Sequence, residues 1–382
     1  MIFIILINVN KFYLIFIVYN IIMSENTYDN IDYCLSILYE SLYNLKSDEC
    51  HAFNTINKKD IVMDDLRKNS DFDYADVLKG KIEKMGIYNG RIHYKIKNNT
   101  YPYTLEIGFI SKKYNKNDQK RPELFNMAMM YMASEMAFDE KFNHTLLPIM
   151  CFDITKKALE KIIPSLEKDF EKNYEKDNED MYIIVTEHFF KMYTLKEYLD
   201  ENIDTLTEQD INCIFFQIYM TIAKLSERFA RFRHNKLNLD SIRLYVKEPT
   251  DDIYKLNKNT YTLKNNRIEI KITDFDYCFN TSEYISNNNP YILLNSANID
   301  NPYYDIHYIT NLIYLYLDNS DAKNANTLLK KFANFFNEII PEKYRIGKLD
   351  NYNGMNQELY ISNTENIITL PNIIKKISTM IL

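Results

Sequence analysis

Apolar and polar positions alternate differently along the chain, and each change of rhythm predicts an element. Residues 24–78 are polar, with Tyr33, Cys34, Leu35, Ile37, Leu38, Leu42 and Leu45 spaced as on a helix. Residues 91–96 and 103–107 read as short β-like runs between Asn-rich turns, so residues 80–109 form a hairpin region. A basic stretch follows, and Pro122 then opens a helix to about Lys141, since proline suits a first helical position. Its stripe of Leu124, Met127, Met130, Tyr131 and Met136 predicts core, because methionine fills irregular apolar gaps. Residues 146–152 and 182–186 read as strands, and the Glu/Lys-rich residues 156–180 between them as a helix with a solvated face.

The second half is predominantly helical. Helices are expected at residues 195–199, 208–229, 303–317, 324–340 and 373–382, the last one amphipathic, with two strands at residues 242–246 and 268–273. No internal repeat stands out. A strand-rich smaller part followed by a helix-rich larger part predicts an α+β protein of two lobes.

Residues 1–22 break this pattern, being apolar almost throughout. A bilayer core of about 30 Å needs a helix of about 20 residues. Asn8, Asn10 and Lys11 interrupt the run, however, and a central charge costs about 2.5–3.5 kcal/mol on insertion scales. No small-residue cleavage site follows. Two readings stand: a translated leader with the functional chain starting at Met23, or an uncleaved membrane anchor.

Composition narrows the function classes. Of 382 residues, 46% are hydrophobic and 26% charged, an ordinary globular balance. Acidic side chains outnumber basic ones, 53 to 46, for a net charge of -7, which disfavours binding to a nucleic-acid backbone. Tyr (32) and Phe (22) abound while Gly (6), Pro (9) and Trp (0) are scarce, as AT-rich codons would produce. Cys34, Cys50, Cys151, Cys213 and Cys278 form no CxxC pair, and the six histidines form no ligand pair. Free thiols in a reducing, cytoplasmic compartment are expected, and no metal site follows from Cys and His.

Two stretches carry candidate chemistry. One runs His234-Asn235-Lys236-Leu237-Asn238-Leu239-Asp240-Ser241, and the other Thr273-Asp274-Phe275-Asp276 at the end of a strand. Together they resemble the catalytic loop (HRDLxxxN) and metal-binding DFG motif of the protein kinase superfamily. Their spelling resembles that of the kinase-like proteins of large DNA viruses. Tyr304-Asp305-Ile306-His307 resembles the start of the central C-lobe helix, where Asp305 would hold the catalytic-loop backbone, and residues 341–345 are also family-like. Residues 185–189 fall where the hinge belongs, with Glu187 in the nucleotide cleft. Glu123 lies in the helix that supplies the partner of the phosphate-binding Lys.

The resemblance implies a bilobal protein-kinase-like fold. It places a small β-rich N-lobe with one long helix in residues 79–190 and a larger helical C-lobe in residues 191–382, after a helical extension at residues 23–78. It also marks departures. Of the glycine-rich loop only Gly90 is in register, with Gly86 nearby. Glu106 stands where the phosphate-binding Lys belongs and would face Glu123, like charge against like. Lys236 replaces the general base, and Ser241 replaces the Asn that holds the second Mg²⁺. Asp276 replaces the Gly of DFG and stiffens it. Asp274 alone is retained as a metal ligand, and His234 would pack the loop backbone.

A catalytically degraded pseudokinase that acts by binding protein, an active kinase or its substrate, is therefore the expectation. ATP and Mg²⁺ would be cofactors only if nucleotide binding is retained, and a membrane would be a partner only if residues 1–22 are. The alternative is an atypical active Ser/Thr protein kinase in which Asp240 serves as base and Lys95, Lys112 or Lys113 reaches phosphate.

Overall fold

The computed structural model describes residues 80–97, 102–113, 121–140, 142–164, 180–188, 191–229, 232–278, 304–340 and 370–381. The expectations for residues 1–22, 23–78 and 341–345, and for most of 156–180, lie outside these. Among the described residues no helix is long and apolar enough to cross a membrane.

The N-terminal part is an antiparallel sheet built from β1 (Lys81–Tyr88), β2 (Arg91–Lys97), β3 (Pro102–Phe109), β4 (Pro148–Thr155) and β5 (Asp180–Glu187), in the order β1-β2-β3-β5-β4. β1 and β2 meet in a two-residue turn, Asn89-Gly90. Both residues have positive φ (50° and 80°), the type I′ geometry that suits the twist of paired strands. Between β3 and β4 lies α1 (Pro122–Asp139), with Pro122 in its first turn. Met127, Met130 and Met136 are buried, as the stripe predicted. A short helix, α2 (Lys156–Ile162), follows β4 and is capped by the Thr155 hydroxyl.

After β6 (Tyr193–Thr194) the chain turns helical in α3 (Leu195–Asn202) and α4 (Glu208–Arg228). Each opens with a reciprocal capping box, Thr194 with Glu197 and Thr207 with Asp210, which satisfies backbone N–H groups at the helix start. α4 is buried on nearly every side from Ile211 to Leu225 and forms the axis of this lobe. Around it pack α5 (Tyr304–Asn319), α6 (Lys323–Lys331), α7 (Ala333–Ile339) and α8 (Leu370–Ile381). The single helix expected over residues 324–340 is divided at Phe332, whose ring is buried.

The strands expected at residues 242–246 and 268–273 are parts of a much longer hairpin, β7 (Ile242–Leu256) with β8 (Asn259–Ile272). Pro249 and the acidic residues after it hid the strand in the sequence. The ladder accommodates them with register shifts between Val246 and Asp252, where a missing N–H is tolerated. Tyr254, Leu256 and Leu263 anchor the arm, with Tyr254 edge-on to Phe216 of α4 at 5.1 Å.

The two parts are joined at the back of the cleft. Thr145 bridges to Ile272 in parallel, the Leu146 N–H donates to the Ile272 carbonyl (2.9 Å) and the Ile272 N–H to that of His144 (2.8 Å). Beside them the buried Lys271 ammonium meets Glu187 at 2.9 Å and Asn143 at 2.6 Å. The result is an α+β protein, with a sheet-rich N-terminal part followed by a predominantly helical C-terminal part, as the sequence pattern predicted.

Candidate functional site

Of the motif residues, His234, Ser241, Asp274 and Asp276 are buried. Asp305, at the start of α5, accepts the His234 N–H (2.6 Å) and the Asn235 N–H (2.8 Å), so this carboxylate holds the loop backbone as expected. Burial lowers the pKa of His234 and keeps the ring neutral. Its Nε2 lies 2.8 Å from the Thr273 carbonyl, and its Nδ1 accepts the Lys236 N–H at 3.3 Å, which assigns the proton to Nε2. His234 thus ties one motif to the other.

Asn238 shapes the rest of the loop. Its Oδ1 accepts the N–H groups of Asp240 (3.0 Å) and Ser241 (2.8 Å), a local turn of the kind Asn side chains build. The Ser241 hydroxyl lies 2.9 Å from the Lys236 carbonyl and 3.0 Å from Asn238 Oδ1, so it is engaged by the loop itself. The Lys236 ammonium sits 4.9 Å above the Tyr277 ring and 3.8 Å from Asp276.

Asp274 and Asp276 follow β8, with Asp274 in the left-handed region (φ 65°). Phe275 between them is fully buried, and its N–H donates to Asn126 of α1 at 2.8 Å. Both acids point to one guanidinium, that of Arg91 on β2. Its NH1 lies 2.7 Å from Glu106 and 3.2 Å from Asp274, and its NH2 2.6 Å from Asp276. All four side chains are buried. Burial alone would lower the pKa of Arg91, but Asp276 and Glu106 outweigh it and hold the group well above its usual value. For Asp276, burial pushes the carboxyl up, and the charges of Arg91 and Lys236 more than reverse this, leaving it below its usual range. Glu106 is raised, because burial exceeds the pull of Arg91.

Glu106 and Glu123, expected to face each other, are each paired with a guanidinium, Arg91 for the first and Arg121 for the second. Glu123 meets Arg121 Nε at 2.5 Å, and Arg121 also grips Asp153 with two bonds of 2.7 Å. Lys112 and Lys113 lie in an exposed turn after β3. The cation that reaches Glu106 is Arg91, which the sequence reading missed. Strand alternation offered a signal: His93 pairs directly with Glu106, and Arg91, two residues earlier, shares its face.

The other positions that the resemblance assigned to a nucleotide cleft are engaged in holding the fold. A Cβ on Gly86 would lie 2.7 Å from the Tyr88 hydroxyl, so the ring that packs there requires the glycine. Gly90 serves the positive φ of the turn. Glu187 accepts the Leu147 N–H (2.9 Å) and pairs with Lys271. Next to it, His188 Nδ1 lies 2.9 Å from the Thr104 hydroxyl, linking hinge to β3.

A magnesium ion, which the motif resemblance implies at Asp274, does not fit these residues. Asp274 Oδ2 accepts from Asn89 at 2.5 Å and Oδ1 from Arg91, so both oxygens serve protein donors and a fixed positive charge lies beside them. A second cation there would be opposed by the guanidinium.

No protein-family model matches the chain. Among curated proteins it is similar to two from Acanthamoeba polyphaga mimivirus. One is "Uncharacterized protein R402", 23% identical over 346 residues, covering 86% of this chain and 39% of that protein. The other is "Putative serine/threonine-protein kinase R400", 26% identical over 258 residues, covering 61% of this chain and 54% of that protein. The chain thus spans about two-fifths and about half the length of these relatives. Among solved structures, "WaaP in complex with acyl carrier protein" matches with a TM-score of 0.36 and 8% identity, over 72% of this chain and 90% of that one. The chain is thus similar to two proteins of a large DNA virus, one of which is named a putative serine/threonine-protein kinase.

Proposed function

We propose that this chain is a kinase-like protein that does not transfer phosphate and acts by binding another protein, an active kinase or the substrate of one. The observation that supports this reading is the Arg91 guanidinium held among Glu106, Asp274 and Asp276. Phosphoryl transfer needs a cation free to meet phosphate oxygens, carboxylates free to hold Mg²⁺, and a base for the substrate hydroxyl. Here the cation and the carboxylates are engaged with one another, and the motif resemblance puts an ammonium, Lys236, in the position of the base. The loss of a general base by itself costs about 10²–10⁴-fold.

The test is a phosphotransfer assay on the purified full chain with ATP and Mg²⁺, using generic protein substrates and the chain itself. Turnover no greater than that of an Asp274→Ala variant is expected. Mg²⁺-dependent transfer that disappears in Asp274→Ala overturns the reading.

One observation favours a second reading, in which the protein is an atypical Ser/Thr kinase. Arg91 delivers a positive charge from β2 to the place that the sequence seemed to leave acidic. In that case Mg²⁺-ATP would displace the carboxylates from Arg91, and millimolar nucleotide would raise the melting temperature by mass action.

A further inference from the structure

The turn between β1 and β2 reaches across the mouth of the cleft and bonds to four separate parts of the C-terminal lobe. The Tyr88 hydroxyl donates to Glu197 of α3, whose other carboxylate oxygen caps its own helix by accepting the Thr194 N–H (2.8 Å). The Arg243 guanidinium of β7 lies 4.6 Å over the Tyr88 ring, within the range of a cation–π contact. Asn89 is bonded on both sides of its amide: Nδ2 donates to Asp274 (2.5 Å) and to the Ser241 hydroxyl (3.3 Å), and Oδ1 accepts from Asn238 Nδ2 (2.8 Å). Arg91 completes the set with Asp274 and Asp276.

Three consecutive features of sequence make this reach possible. The Asn-Gly turn is the shortest hairpin connection, so the strands stay paired to their ends and carry the tip as a stiff unit. Gly86 leaves room for the Tyr88 ring to fold back over the strand. Arg91, immediately after the turn, is buried beside three carboxylates, those of Glu106, Asp274 and Asp276.

We infer that the β1–β2 tip is a built-in latch that holds the two lobes closed without nucleotide or metal, with Arg91 in the place of a bound cation and Asn89 bridging Asp274 to the catalytic loop. The lobes are then tied at the front by this tip and at the back by Lys271 with Glu187. A partner protein would meet one fixed arrangement of the lobes, whatever the supply of ATP. The latch stands on these contacts and is independent of the absence of phosphotransfer.

Hydrogen exchange of the full chain tests it, read by mass spectrometry over residues 85–91 and 234–241, with and without millimolar ATP and Mg²⁺. Both segments are expected to be protected equally in the two conditions. The Tyr88→Phe/Asn89→Ala double variant is expected to raise exchange in both segments by about tenfold, through local opening, while α4 stays slow. Should that variant lose protection in α4 as well, Tyr88→Phe alone carries the same expectation at about threefold. Protection that appears only on addition of ATP and Mg²⁺, or exchange unchanged by the substitutions, overturns the latch. Phosphotransfer by the full chain would sink the inactive reading but leave the latch to be judged by exchange.

Discussion

The Arg91 guanidinium and the Asp276 carboxylate, on opposite lobes, meet at 2.6 Å at the centre of the cleft, each almost wholly removed from solvent. Asp276, which the motif resemblance set opposite a glycine, is thus one anchor of the buried Arg91 guanidinium. The residues at positions 106 and 276 belong to one buried ion-pair cluster, in which Arg91 and Lys236 meet Glu106, Asp274 and Asp276.

Replacing Arg91 with Met leaves Glu106, Asp274 and Asp276 facing one another without their shared cation. Breaking a buried pair from one side costs about 3–5 kcal/mol. Urea denaturation of Arg91→Met should show a loss of that order, and Arg91→Met/Glu106→Gln should recover part of it. Equal stability of Arg91→Met and the parent chain contradicts the pairing of Arg91 with these carboxylates.

The rear tie has a similar logic with one difference. Lys271→Met strands the buried Glu187 and should cost about 3–5 kcal/mol. Glu187→Gln in the same chain removes the stranded charge while an amide oxygen still accepts the Leu147 N–H. The double variant should therefore be more stable than Lys271→Met alone, as a double-mutant cycle would measure.

Asp305→Ala removes the acceptor shared by the His234 and Asn235 N–H groups. Hydrogen bonds to a charged group contribute about 1.5–3 kcal/mol each. Faster amide exchange at residues 234–241 is expected, together with a fall in melting temperature. Asp305→Asn, which keeps one oxygen acceptor, should be milder.

Burial lowers the pKa of His307 to about 4, against an ordinary 6.5. Between these values the unfolded chain binds a proton that the folded chain refuses, so the contribution is complete above pH 6.5 and is lost as the pH falls towards 4. The slope is about 1.4 kcal/mol per pH unit. The stability difference between the parent and His307→Asn should therefore shrink by roughly 3 kcal/mol from pH 7 to pH 4. Using the difference matters, because the raised carboxyls of Glu106, Glu123 and Glu187 titrate in the opposite sense. A pH-independent difference would show that His307 is protonated without cost.

Much of the architecture was legible because it depends on local order. Pro122 at the start of α1 and the apolar spacing of α3 and α4 act within a turn or two of chain. The motif around His234 and Asp274 was legible too, and so was the duty of Asp305. The full length of the β7–β8 arm was hidden, since Pro249 and its acidic neighbours read as loop until the partner strand absorbs them in a bulge.

Local pattern by itself determined most of the elements and the order of a strand-rich part before a helix-rich one. Which charge answers which was decided only in three dimensions. Arg91 and Asp274 are brought together across the cleft by β-pairing and lobe closure, and an ion pair between residues so far apart in sequence leaves no periodic trace along the chain. The pairing of a buried charge follows from where the fold excludes water, which no single segment specifies.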